Sequence, residues 1–132
     1  MLLMQFSARS TDFPAITEWP EQDVRAHVAF MQATNRELTA SGELLHAQGL
    51  AMPDTTRIVR AGADGRPRIT EGPFPETKEF LAGYWITDCA GPERAAEIAA
   101  RISAAPGPGG RPLNMPIEVR EVFAVPPAEQ GH

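Results

Sequence analysis

An α+β domain, one antiparallel sheet with two helices on a single face, is the fold class that the sequence predicts. Three observations lead to it. Two segments carry apolar residues at helical spacing between a proline near the start and a glycine at or beyond the end, one opening at Pro20 and one at Gly91-Pro92. Short strand-like runs stand before, between and after them, in the order β-α-β-β-arm-β-α-β. The run from Phe80 to Thr87 is the strongest strand of all and is largely apolar on both of its alternating faces. The simplest packing of that order is the ferredoxin-like arrangement, an antiparallel sheet with both helices on one side.

Met1 to Phe6 has the length and composition of a first strand, and Ser7 to Glu18, with Asp12, Pro14 and Thr17, reads as an ordered loop. Pro20 opens the first helix at no hydrogen-bond cost. Glu21 and Asp23 suit the positive end of its dipole, and Ser41-Gly42 stops it. Val24, Val28, Met31 and Leu38 are its expected buried stripe. Glu43 to Met52 and Thr55 to Ala61, separated by Pro53-Asp54, read as a meander, and Arg66 to Thr70 returns across the Ala63-Asp64-Gly65 turn as a short hairpin arm. In the strand that follows the Glu71-Gly72-Pro73 bend, alternation places Phe80, Ala82, Tyr84 and Ile86 on one face. Leu81, Gly83, Trp85 and Thr87 take the other. Ala95, Ile98, Ala99 and Ile102 make the stripe of the second helix, which the glycine-proline run from Pro106 to Gly110 ends. Ile117, Val119 and Val122 mark a last strand. The expected domain runs over residues 1–125, with 126–132 a flexible C-terminal tail.

Two helices cover one face of a sheet whose central strand is apolar on both. A second copy of the chain, packed sheet to sheet, is the economical cover, so a homodimer is expected; the other possibility is that Phe74 and the arm fold back over that face.

The chain has 132 residues, one domain's length, and 42% hydrophobic with 22% charged residues is a globular balance. No apolar run approaches the roughly 20 residues of a membrane span, so no membrane association is expected. A net charge of −5, with arginines scattered from Arg9 to Arg120, argues against a nucleic-acid face. Met1 to Ser10 lacks the basic segment and cleavage site of a signal peptide, and the single cysteine, Cys89, suits a reducing compartment; the expected location is the cytoplasm. With no HExxH, no Cys/His pair and no close acidic triplet, neither a metal nor another cofactor is expected. Gly107, Gly109 and Gly110 follow a helix instead of opening one, which removes the nucleotide reading.

The run Glu71-Gly72-Pro73-Phe74, followed by Glu76-Thr77-Lys78-Glu79 and Leu81-Ala82-Gly83-Tyr84, resembles the DGPF signature of the YCII-related family, with glutamate in place of aspartate. Gln48-Gly49-Leu50 before Pro53 and the strand Thr55-Thr56-Arg57-Ile58-Val59 fit the same family's features, and the similarity extends from Met1 to about Val122. What the resemblance implies is a ferredoxin-like fold that dimerises as an α-β barrel and leaves a cleft between the sheet and neighbouring elements. By fold, members resemble small enzymes such as muconolactone isomerases and a related dehydrochlorinase. Other members are encoded beside, or fused to, extracytoplasmic-function sigma factors. In the YCII branch a histidine on the first helix pairs with an aspartate as a catalytic dyad. His27 stands at the corresponding place, no aspartate matches its partner, and Glu43 is the nearest acid in order.

His27 falls at the border of the packed face of its helix, where a partly buried imidazole titrates in the range a general base requires; a structural histidine bonded to backbone is the competing reading. His46 shares one side of its strand with Leu44, Gln48 and Leu50, either lining a ligand cleft or lying on a wet or dimer-facing surface. At the bend, Glu71 is a second catalytic candidate. Lys78 or Arg57 would hold an anionic group between apolar walls of Phe74, Tyr84 and Trp85, unless Phe74 only anchors the turn and the charges are solvated. The functional expectation is a small organic ligand, in some form anionic, bound in a cleft with proton-transfer chemistry; the alternative is a non-catalytic module for a regulatory protein.

Overall fold

Four strands make the main sheet of the computed structural model, which describes residues 1–6, 13–72 and 79–122. Its elements in chain order are β1 (Leu2–Phe6), α1 (Glu21–Ala40), β2 (Leu44–Gly49), β3 (Arg57–Ala61), β4 (Pro67–Glu71), β5 (Phe80–Thr87), α2 (Pro92–Ser103) and β6 (Ile117–Val119). The sheet order is β2-β5-β1-β6, every pair antiparallel, which is the ferredoxin-like order. The Phe74 and Lys78 assignments, and the expected tail, lie outside the described residues.

Local chemistry sets the helix ends where the sequence places them. Pro20 caps α1 with Glu21 and Asp23 in the first turn. At the other end Gly42 turns to φ 81°, Glu43 N–H donates to the Leu38 carbonyl and Gly42 N–H to that of Thr39, a Schellman closure that glycine permits without strain. Pro92 begins α2, whose Ala95, Ile98, Ala99 and Ile102 are buried. Ile98, Ala99 and Ile102 meet Leu2 and Met4 of β1, Trp85 of β5, Leu38 of α1 and Met115 in one core, so both helices lie on the same face of the sheet. An Arg101–Glu37 ion pair ties the helices together on the outside.

The α1 stripe differs from the expected one. Val28 is 43% exposed, while Thr34 and Leu38 are buried and His27 and Met31 half-buried, so the face runs through 24, 27, 31, 34 and 38. Two polar residues, His27 and Thr34, occupy positions that a hydrophobicity pattern skips. Thr34 is 1% exposed, and its hydroxyl has no hydrogen-bond partner among the described residues. An unpaired buried hydroxyl is costly, so Thr34→Val, which keeps the shape, is expected to raise the unfolding free energy by about 1–2 kcal/mol in a urea titration.

The meander is also corrected. β2 pairs with β5, Leu50 N–H continues that ladder to the Ala82 carbonyl, and Pro53, which has no N–H, diverts the chain through a single 3-10 turn. β3 then pairs with β4 as a separate two-stranded ribbon. Its residues are mostly exposed because it carries too little apolar surface to pack, and the cross-strand pair Val59–Ile69 stands in solvent at 57% and 50% exposure.

In β5 the alternation slips by one residue. Met4 pairs with Gly83 but Gln5 pairs with Leu81, leaving Ala82 as the extra residue of a bulge. Phe80, Ala82, Gly83, Trp85 and Thr87 therefore sit with the helix-facing partners Phe6, Met4, Leu2 and Leu44, and Leu81, Tyr84 and Ile86 share the opposite face with Gln5, Leu3 and His46. Simple alternation had assigned Phe80, Leu81 and Ala82 to the wrong groups. Both faces of the strand nevertheless carry large apolar residues, and among the described residues no helix covers the second one.

Candidate functional site

A cleft opens between the N-terminal half of α1 and the β2 side of the sheet because the strands beneath it present almost no side chain. Ala47, Gly49, Ala82 and Gly83 form its floor. A Cβ on Gly49 would meet nothing within 4 Å, whereas one on Gly83 would approach the Gln48 carbonyl at 3.1 Å. Only the C-terminal half of α1 is buried against the core; its N-terminal half turns His27 and Met31 to the gap.

The cleft has two compartments that share Met4, His27, Gly49 and Ala82. One, of about 240 Å³, is closed by Phe6, Phe13, Trp19, Leu50, Met52 and Leu113, so His27 is its one ionisable wall among the described residues. The other, of about 480 Å³, carries Gln32 and Asn35 beside Met31 and Trp85. His27 stands at the neck between them.

Its ring is held in a defined state. Nδ1 lies 3.0 Å from the Pro106 carbonyl oxygen, and since a carbonyl only accepts, Nδ1 carries the hydrogen and donates it. In the neutral ring Nε2 then bears the lone pair. Trp19 meets the ring edge-on, with centroids 5.4 Å apart. Burial lowers the His27 pKa below its ordinary 6.5, outweighing the Pro106 bond that raises it, so the imidazole is neutral at pH 7.

The loop presenting that carbonyl is tightly cross-bonded. Leu113 N–H donates to Ala105, Gly107 N–H to Arg111, and Pro106 bridges Pro112. Gly109 N–H reaches Asp23 on α1, one turn before His27, at 3.3 Å. Gly107 packs closely on Leu113: a Cβ there would lie 2.5 Å from a Leu113 methyl and would displace that side chain.

The remaining sequence candidates are dispersed. Trp85 joins His27 in the larger compartment, its indole Nε1–H donating to Asn35 Oδ1 at 3.1 Å. Tyr84 and His46 are on the opposite face of the sheet, where the phenol and His46 Nε2 are 3.1 Å apart. Arg57 and Glu71 pair across the ribbon at 3.2 Å, both well exposed, and neither lines the cleft. Glu43, the nearest acid in order, sits past the C-terminus of α1, about 20 Å along the helix from His27. It takes two bonds from Arg94, at 2.7 and 2.9 Å, and one from Ser41. Among the described residues no carboxylate comes within 4.0 Å of the His27 ring.

The Arg94 and Ser41 bonds lower the Glu43 pKa from 4.5 to about 2. A carboxyl whose folded value is depressed contributes stability that is complete above its unfolded value and is lost as pH falls through the folded one. Between pH 4.5 and about 2 the chain should therefore lose stability in urea titrations, and Glu43→Gln should show a flatter profile over that window.

Phe13, Trp19, Met52, Leu113 and Asn35 escaped the sequence reading. The first four come from loops without periodicity, and Asn35 looks like a surface position of α1. Gly49, a glycine inside a strand, was the one legible signal of close approach or open space.

Residues 1–109 match the YCII-related domain. An uncharacterized protein of Rhizobium meliloti (strain 1021) is 27% identical over 118 residues, which is 89% of this chain and 90% of that protein. That match covers most of the 132 residues: the chain belongs to the YCII-related domain family.

Proposed function

We propose that the chain binds a small, largely apolar carbonyl compound in the cleft under α1, and that His27 acts there as a general base for proton transfer at the carbon next to the carbonyl. The observation that carries this reading is the state of His27: neutral, Nδ1–H committed to Pro106, Nε2 without a partner among the described residues, at the neck of a cavity. Nε2 takes the proton, the C–H electrons pass into an enolate, and the imidazolium returns the proton to the same or a conjugated carbon, an isomerase-type cycle with no net redox change. The smaller compartment has room for an aromatic ring with a short chain, by comparison with the roughly 150 Å³ cavity that accepts benzene. An anionic group finds no arginine or lysine among the described residues of either compartment, so the ligand class narrows to neutral molecules.

The test is proton exchange. Benzylacetone incubated with the protein in deuterium oxide should lose its signals next to the carbonyl faster than in buffer alone, followed by proton NMR. Exchange no faster than buffer would sink the catalytic part of the proposal.

The alternative, a non-catalytic module that binds a regulatory protein such as an extracytoplasmic-function sigma factor, draws on the exposed Val59–Ile69 pair of the ribbon. It predicts that ligand screens are silent. In either case we propose that a second copy covers the open sheet face around Leu3, Tyr84 and Ile86. Light scattering at micromolar concentration should give twice the 14.3 kDa chain mass, and a monomer mass would refute the dimer.

A further inference from the structure

Asn35 stands two turns beyond His27 on the same side of α1, about 12 Å along the axis, in the wall of the larger compartment. Its orientation is determined by its neighbour. An indole N–H can only donate, so the atom facing Trp85 Nε1 at 3.1 Å is the amide oxygen, and both hydrogens stay on Nδ2. Trp85 is itself 6% exposed in the core and cannot swing to accept a different partner. Among the described residues Nδ2 has no acceptor. The larger compartment thus carries an oriented donor that no acceptor among the described residues engages, at a distance from His27 set by helix geometry.

We propose that Asn35 is a specificity-determining residue of the cleft, donating from Nδ2 to a neutral acceptor at the far end of an elongated ligand. This rests on the cleft reading given above and adds to it the ligand's shape. The apolar body lies among Phe13, Trp19 and Leu50, the reacting carbon at His27, and a carbonyl of an amide or ester at Asn35. Two polar contacts of about 3 Å each leave about 6 Å between the reacting carbon and the terminal acceptor carbon, a chain of about five bonds.

A matched pair of ketones tests this. Both carry a phenethyl group on one side of the carbonyl. On the other side a four-methylene chain ends in a methyl ester, which can only accept, in the first and in the isosteric sec-butyl group in the second. Affinities are read by NMR titration of the full chain. In Asn35→Asp the carboxylate still accepts from Trp85 but presents an acceptor to the cleft, and in Asn35→Ala the donor is absent. The ester ketone should weaken relative to the sec-butyl ketone by about tenfold in both variants. Trp85→Phe, which frees the amide to rotate, should show part of that change. A ratio within twofold of the wild-type value in both Asn35 variants would overturn the assignment while leaving the cleft in place. If neither ketone binds the wild type, the cleft reading falls and this inference with it.

Discussion

Replacing His27 with asparagine is expected to slow the exchange of benzylacetone by about 10²- to 10⁴-fold, the usual contribution of a positioned general base. Asparagine is the informative choice. Its amide nitrogen falls near the place of Nδ1 and still donates to the Pro106 carbonyl, so the loop from Ala105 to Leu113 keeps its attachment to α1 while the lone pair of Nε2 is lost. A drop in rate without a drop in thermal stability would then assign the effect to chemistry and not to a loosened loop. The pH profile supplies an independent check. Since burial lowers the His27 pKa, the wild-type rate should rise with pH through a value below 6.5 and be level at neutrality. The same shift has a stability consequence of defined sign: the neutral ring's contribution is complete above pH 6.5 and is lost as pH falls through the lowered folded value. His27→Asn should lack both features.

The second large effect is expected from Gly49→Leu. Gly49 does not have a left-handed backbone, and a Cβ there enters open space on the helix-facing side of an edge strand, so the substitution is compatible with the fold. Its side chain would occupy the place where the two compartments meet. Overfilling a cavity of this kind costs about 1–3 kcal/mol, which is about 5- to 150-fold in ligand affinity. Benzylacetone titrated into Gly49→Leu should therefore bind far more weakly than to the wild type, with the melting temperature held or raised. Equal affinity would place the ligand elsewhere.

The architecture was legible from the sequence because its determinants are local. Pro20, Ser41-Gly42 and Pro92 punctuate the helices by backbone chemistry that acts within a turn, and Ala63-Asp64-Gly65 closes the ribbon in the same way, with Gly65 at φ 79°. The bulge at Ala82 was not legible, because an extra residue is defined only by the partner strand, and β1 shows it only when Gln5 is seen opposite Leu81. His27 was identified by its place on the first helix, yet the group that orients it is a backbone carbonyl 79 positions away. A backbone-bonded histidine was the competing reading of His27, but a carbonyl has no side-chain signature and the sequence could not say which one; Glu43, the nearest acid in order, is engaged by Arg94 instead. His46, Arg57, Glu71 and Tyr84 were grouped with His27 by polarity and by the family resemblance. Strand pairing separates them: His46 and Tyr84 face the other side of the main sheet, and Arg57 and Glu71 sit on the separate ribbon of β3 and β4.

The central claim is that small molecules enter the cleft beneath α1, and amide chemical-shift mapping during a benzylacetone titration tests it most directly. The account predicts saturable shifts centred on Met4, His27, Gly49 and Ala82, the residues common to both compartments. Shifts centred on His46, Tyr84 and Ile86 across the sheet, or none at millimolar ligand, would contradict it.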